Sequence, residues 1–557
     1  MTVPRASRAS AHSAPRWLHV CALASLIVAG PAGCGFSDAL LGLVVDDTED
    51  GGTSDAGHDA DTETDQGSDA SDDAGSLTLT LRVTNTLDAG PGSLRQALLD
   101  AASASSSTIS FDIPEDDPGR LYYRDNGATG LSAPVSVNGS EASIADFDAD
   151  YPAGTARSWW RITLLSPLPA VSDVGLDGAS QKAARGITAN GPVIELVGDA
   201  LPAAPGLDLT RSSVKGLILG GFDGPGLLMA GMGSTIVSVY SGVDPAGIIA
   251  HPNLVGAELV DATSGGVGGS AADELCVFAG NTDRHLVLRG AGTSGVQVSQ
   301  TFCGSDPTGQ RVPLGASAAS VGIDVDDGVS GLRLGGPSNV NRVLASGNEL
   351  GVRLRSASNV SLEFVYVGAT PPPAFPAHTP LPNAQEGVRM ELVDGVDVRN
   401  CMINWNGGAG VFIASGDGVV LRNNVILENG GLAIDLAPLG PNPASGTEGS
   451  GPNQGQNAPV ILGQLSGPTR LSLTLTSEPD ATFVIDLEYE AAPGTAGEPI
   501  LARTQSTVQT SAAGFVAFEM ATTLTPEPDA TFVVAATLMG PSGPVRTSER
   551  ATLAFTP

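Results

Sequence analysis

Two arginines, Arg353 and Arg389, occupy equivalent places in the strand-like segments Gly351-Val352-Arg353-Leu354 and Gly387-Val388-Arg389-Met390. Guanidinium groups stacked in this way can grip a carboxylate through paired hydrogen bonds, and they stay charged at any ordinary pH. With Arg355, Glu386 and Glu391 they form the best candidate cluster for proton abstraction from, or retention of, an acidic sugar. Arg353, Arg389 and Glu391 are its candidate catalytic residues, and Arg355 is a candidate for binding. The cluster flanks a proline-rich segment, Pro371-Pro372-Pro373-Ala374-Phe375-Pro376. The plainer reading is that these arginines face outward and pair with Glu386 or Glu391, as surface charges commonly do.

Other chemistries have less material. Asp324, Asp326 and Asp327 cluster after one strand, and Asp394 and Asp417 stand at matching positions, but Asp394-Gly395 and Asp417-Gly418 are ordinary turn dipeptides. His12, His19 and His58 precede the folded part. His251, His285 and His378 are far apart and lack zinc-type spacing. Aromatic candidates for a saccharide groove are Trp159, Trp160, Phe364, Tyr366 and especially Trp405, which lies between Asn404 and Asn406 at a corner. Corner packing is the competing role for Trp405. Cys276 and Cys303 are about one repeat apart, which would allow a disulfide between neighbouring layers. The alternative is that they, with Cys401, are small buried apolar residues. No dedicated metal centre is expected; Ca2+ held by carboxylates is the one cation chemistry that the acidic balance suits.

What must position these side chains is a β-rich scaffold. Of 557 residues, 41% are apolar but only 4% aromatic, so Val, Leu, Ile and Ala must build the interior; 72 Gly and 39 Pro imply many turns and short elements. The formal net charge is −33, with Lys182 and Lys215 the sole lysines. Such a chain repels phosphate backbones and anionic membrane faces, so nucleic acid is not expected as a partner.

The first 33 residues read as an export signal. Arg5, Arg8 and Arg16 precede a short apolar stretch from Trp17 to Gly30, too short to span a bilayer. Pro31-Ala32-Gly33-Cys34 resembles the lipobox of bacterial lipoproteins, which implies lipidation at Cys34; the departure is Pro31, where that family usually has Leu. Residues 34–75 read as a disordered tether, because Asp46 to Asp73 carries twelve acidic residues and no Lys or Arg. The membrane is therefore expected as a partner only through the N-terminal lipid.

Residues 76–460 carry a repeat. Gly387-Val388-Arg389-Met390, Gly410-Val411-Phe412-Ile413 and Ala433-Ile434-Asp435-Leu436 step by 23 residues, as do Val396-Asp397-Val398 and Val419-Val420-Leu421, and Asn406-Gly407-Gly408 and Asn429-Gly430-Gly431. A period in the twenties with β-branched strands means one coil per repeat, and matching asparagines predict amide ladders at the corners. Gly351 to Gly387 spans 36 residues, an excess of 13 that takes the proline-rich loop out of the stack. Upstream, Ser93 reads as the N-cap of a helix opening Leu94-Arg95-Gln96-Ala97-Leu98.

Val83 to Leu98, with its Thr84-Asn85-Thr86-Leu87-Asp88-Ala89-Gly90-Pro91-Gly92-Ser93 core, closely resembles the opening motif of a group of bacterial right-handed β-helix surface proteins. Ile162 to Pro169 with Leu176-Asp177-Gly178-Ala179-Ser180-Gln181 is similar to a second block, and Asn429 to Leu436 with Gly451 to Val460 to the closing block. The resemblance implies an all-β, right-handed parallel β-helix with a short N-terminal capping helix, and little chemistry. Within the wider pectate-lyase-like superfamily, lyases need an Arg or Lys base and Ca2+, and hydrolases need paired carboxylates. The hydrolases' tandem Asp and Gly-His-Gly blocks are absent here.

Residues 461–557 are expected to form an immunoglobulin-like β-sandwich, since Glu478-Pro479-Asp480-Ala481-Thr482-Phe483-Val484 recurs from Glu527 to Val533 among alternating strands. The expectation is a monomeric surface lipoprotein of the outer membrane or cell surface, or else a secreted one. Its β-helix would serve as a stalk or recognition surface, with polysaccharide or a surface glycan as partner. The alternative is a polysaccharide lyase or glycoside hydrolase of the β-helix type.

Overall fold

The computed structural model describes residues 78–137, 139–317, 320–371, 378–442, 449–464, 470–491, 500–521 and 530–555. The signal, Cys34 and the whole tether lie outside them, as does most of the proline-rich loop. Among the described residues the main body is a parallel β-helix. Each regular coil visits three sheets in turn, as in Val393–Arg399, Met402–Ile403 and Val411–Ile413, before Gly416–Arg422 re-enters the first. The first sheet runs from Leu79–Val83 to Gly416–Arg422, the second from Trp159–Thr163 to Met402–Ile403, and the third from Val171–Ser172 to Ile434–Leu436. Arg120–Tyr123 and Pro134–Ser136 extend the second sheet in the antiparallel sense.

The 23-residue period is the coil length. Val396 sits opposite Val419 and Val398 opposite Leu421; Val388, Val411 and Ile434 form one column of the third sheet. These side chains are buried in one continuous core. Each fully buried Val, Leu or Ile contributes about 1.5–3 kcal/mol, which a single coil could not collect because half its apolar face would stay wet. The corner amides form the expected ladder. Asn348 Nδ2 donates to Asn383 Oδ1 (3.1 Å), Asn383 to Asn406 (2.8 Å) and Asn406 to Asn429 (2.9 Å). An upstream pair, Asn253 and Asn281, does the same at 3.1 Å. Between Asn281 and Asn348 the ladder is broken, and the buried imidazole of His285 fills the gap. Asn281 Nδ2 donates to its Nδ1 (3.2 Å), so Nε2 carries the proton toward Ser320 Oγ (3.1 Å).

Both ends are closed. Ser93 Oγ accepts the Gln96 N–H, and the helix Leu94–Ala101 lays Leu94, Ala97, Leu98 and Ala101 over the first coil. At the far end, Asn453 Oδ1 accepts the Val419 N–H while its Nδ2 donates to Val419 O and Thr547 O. Leu421 N–H donates to Thr547 Oγ1, and Leu436 N–H to Glu549 Oε1. Asn453 belongs to the turn Pro452–Gly455 that follows the last coil, and Thr547 and Glu549 come from the C-terminal part, two antiparallel sheets enclosing Leu471, Leu473, Phe483, Ile485, Phe532 and Val534. Phe483 and Phe532 come from the two copies of the repeated motif.

One expectation is corrected. Cys276 and Cys303 form no bridge: Cys276 lies opposite Thr301 and Cys303 opposite Phe278, two residues out of register. Both point into the core with Cys401, and burial pushes their thiols above the usual range, to about 11 for Cys276. They are structural apolar residues.

Candidate functional site

The outer face of the third sheet brings the predicted arginines together. Arg353 and Arg389 are register partners, as are Arg355 and Glu391. Each guanidinium is already engaged by the chain. Arg353 makes a bidentate pair with Asp324 (2.8 and 2.7 Å), whose other neighbour is Arg284 at 3.5 Å. Arg355 pairs with Asp326. Arg389 donates to Glu391 (2.6 Å) and Glu386 (3.3 Å), and its guanidinium lies 5.2 Å from the centre of the Phe412 ring. Pairing across coils for Arg353 and Arg355, and within one coil for Arg389, therefore consumes the charges that a ligand would need. Asp394 and Asp417 do align, each followed by a glycine in the left-handed region, which is turn geometry. Trp405 holds a left-handed corner, half-buried, and its indole N–H donates to Glu428 (2.7 Å) one repeat on. Trp159 and Trp160 are buried. Among the described residues no group of three His, Cys, Asp or Glu side chains is arranged to hold a metal ion.

The second sheet's outer face differs. Its outward column reads Arg161, Glu195, Ile218, Tyr240, Val277, Phe302, Leu344, Tyr366 and Met402 from coil to coil. Ile218, Tyr240 and Val277 form an apolar cluster separate from the main core. Chain departures between strands cover this column. Residues 243–250 fold into a flap closed by the Val243–Ala250 bridge, and Ile249 pairs with Leu314 of the next departure. Thr155, from the N-terminal extension, pairs with Asn190.

These walls enclose a cleft of ≈ 450 Å³ with Tyr240 and Phe302 on its floor and Asn190, Gln300, Asp273, Arg311 and Arg342 around it. Asp306, fully buried, fixes the 306–311 turn by accepting from Arg311 Nε (2.8 Å), Thr308 Oγ1 (2.7 Å) and the Gln310 N–H (3.1 Å). Tyr366 stacks on His378 with ring centres 5.8 Å apart and donates to Asn339 Oδ1.

Beside the cleft lies a buried polar cluster that clamps its walls. Glu195 accepts from Trp159 Nε1 (2.6 Å) and Arg161 Nε (2.7 Å), and His251 Nδ1 is 3.8 Å away. His251 Nε2 is 2.9 Å from Asp199. Burial opposes ionisation of Glu195, yet His251 and Arg161 outweigh it and hold the carboxyl below its usual range. Burial likewise opposes the charged imidazole, and Glu195 with Asp199 raises His251 above its ordinary value. Tyr123 donates to Asp244 (2.9 Å), which also accepts the N–H groups of Ile248 and Ile249 and so shapes the flap. The imidazole needs Gly220 and Gly221: a Cβ on the first would lie 2.5 Å from His251 Nδ1, and one on the second 2.0 Å from Asp199 Oδ1.

None of these clamp residues was singled out as a partner of another on sequence grounds. The available signals were Glu195 inside the otherwise apolar strand Ile194–Val197 and the Gly220-Gly221 pair.

The chain matches no protein-family model and no curated protein. Among solved structures it is similar to the A-module of Azotobacter vinelandii mannuronan C-5 epimerase AlgE6. Identity there is 12% over 64% of this chain and 88% of that one, with a TM-score of 0.38. It is also similar to tailspike protein gp49 from Acinetobacter baumannii bacteriophage Fri1, a capsular polysaccharide depolymerase (8% identity, 81% and 75% covered, TM-score 0.19). A third is the Dettilon tailspike protein gp208 (11%, 68% and 84%, 0.19). At these scores the likenesses carry no argument, and the β-helix stands on the strand register described above.

Proposed function

We propose that this chain is a carbohydrate-binding surface protein whose binding site is the walled cleft on the second sheet, not the arginine face of the third. The observation that supports it is the cleft's make-up: an aromatic floor bordered by planar amide, carboxylate and guanidinium groups on a rigid stack. Concave sites with apolar floors and a few fixed polar groups are where small polar ligands bind. In the same proposal Cys34 carries the lipid, residues 34–75 hold the body away from the membrane, and the protein acts on the cell surface as a monomer without depolymerising its ligand. The test is a glycan array with the mature protein, followed by titration of each hit. Tyr240→Ala is expected to weaken binding at least tenfold, and Arg353→Ala to leave it within twofold. Release of unsaturated or shortened sugars from any hit, or equal binding by Tyr240→Ala, would overturn the reading. Loss of surface display in Cys34→Ala tests the anchor.

A further inference from the structure

Most arginines of the β-helix are matched to a carboxylate, including every arginine on the third sheet's outer face. Arg311, on the wall of the cleft, is neutralised by buried Asp306. Arg342, also lining the cleft, is not: among the described residues no carboxylate lies within ion-pair distance of it. Its guanidinium sits 5.7 Å from the centre of the Phe302 ring, and Nη1 donates to Asn339 O at 3.2 Å. Its Nε is buried and has no hydrogen-bond partner. A guanidinium on the lining of a cleft with no carboxylate partner keeps its charge for an oxyanion. Asp273 is another charge on the lining; it acts on Lys182, whose ammonium donates to Gly191 O.

We infer that Arg342 is the specificity-determining residue of the cleft, selecting saccharides that bear an anionic substituent, a carboxylate or a sulfate ester. This rests on the cleft being the carbohydrate site. The sugar ring would lie in the cleft beside the guanidinium, and Nη2, which no hydrogen bond among the described residues engages, would take the anion.

The experiment compares a hexuronate oligosaccharide, its carboxyl-reduced form and an O-sulfated neutral oligosaccharide by calorimetry, using wild type, Arg342→Gln and Arg342→Lys. Wild type is expected to favour one of the acidic forms at least tenfold over the reduced one. Arg342→Gln should abolish that preference, while Arg342→Lys, which keeps the charge but not the planar guanidinium, should retain part of it. The form preferred tells carboxylate from sulfate. Separately, sodium sulfate is titrated while the arginine Nε–Hε NMR signals are followed; one signal, missing in Arg342→Gln, is expected to move. Binding without acid preference, or a preference unchanged in Arg342→Gln, overturns the inference and leaves the carbohydrate reading standing. If no saccharide binds but sulfate moves the Arg342 signal, the carbohydrate reading fails and the anion subsite survives. If sulfate moves nothing, the subsite fails as well.

Discussion

The outer faces of the third and second sheets belong to the same stack and have opposite characters, one charged and the other largely apolar. On the third sheet, strands such as Val321–Asp326, Leu350–Arg355 and Val388–Glu391 meet in close register, so Arg353 and Arg355 find carboxylates one coil back, Arg389 finds Glu391 on its own strand, and the face neutralises itself. On the second sheet, the chain leaves the stack between strands, and the flap, the 306–311 turn and the N-terminal extension build walls over an apolar column. The lesson is that strict repetition makes a stable, self-satisfied surface, while departures from the repeat make a place for something else.

Acid gives the sharpest test of that contrast. His285 fills the break in the amide ladder at an irregular coil, and burial lowers its pKa from 6.5 to about 3. The unfolded chain therefore binds the proton that the folded chain refuses. Stability should fall as pH drops from about 6.5 toward about 3, by on the order of 4 kcal/mol for this one group. Hydrogen exchange at pH 4 and 7 should show the coils around His285 opening first, with the Asn348–Asn429 ladder holding. Asn406→Ala should come next, at roughly 2 kcal/mol, because the Asn383 amide loses its acceptor in a dry corner; urea denaturation measures it, and ligand affinity should not change. Arg353→Ala should cost about 1 kcal/mol, since Asp324 keeps Arg284 as a neighbour and the arginine is partly exposed. A larger loss, or any loss of binding, would erase the distinction between the two faces. The smallest effect concerns the flap. His251 has a raised pKa in the fold, so its contribution is complete below the unfolded value and disappears as pH rises through the folded one. Proteolysis within 243–250 should therefore quicken on the alkaline side, and His251→Gln should remove the pH dependence.

Much of the scaffold was legible because its signals are local or strictly periodic. Val398 meets Leu421 because the apolar spacing repeats at the coil length, and Ser93 caps its helix with a bond three residues away. The cleft was not legible, because its parts are drawn from coils of unequal length: Tyr123 and Asp244 are 121 residues apart. The cysteines show the same limit in miniature. Cys276 and Cys303 are one coil apart by count, but the count hides a two-residue shift in phase that puts Thr301 and Phe278 opposite them. The arginine alignment was read correctly, whereas Asp324 and Asp326 were read as a separate cluster and not as the arginines' partners one coil back.

The plug at the far end holds the main chain of the terminal layer through Asn453, Thr547 and Glu549. Because those bonds go to peptide groups, the plug is indifferent to the side chains and to the number of layers beneath it. Layers could be duplicated or deleted upstream without redesigning the lid, so the reach of the column is a quantity that evolution can lengthen or shorten at will. The same lid denies an incoming strand the bare peptide edge on which head-to-tail fibres would grow.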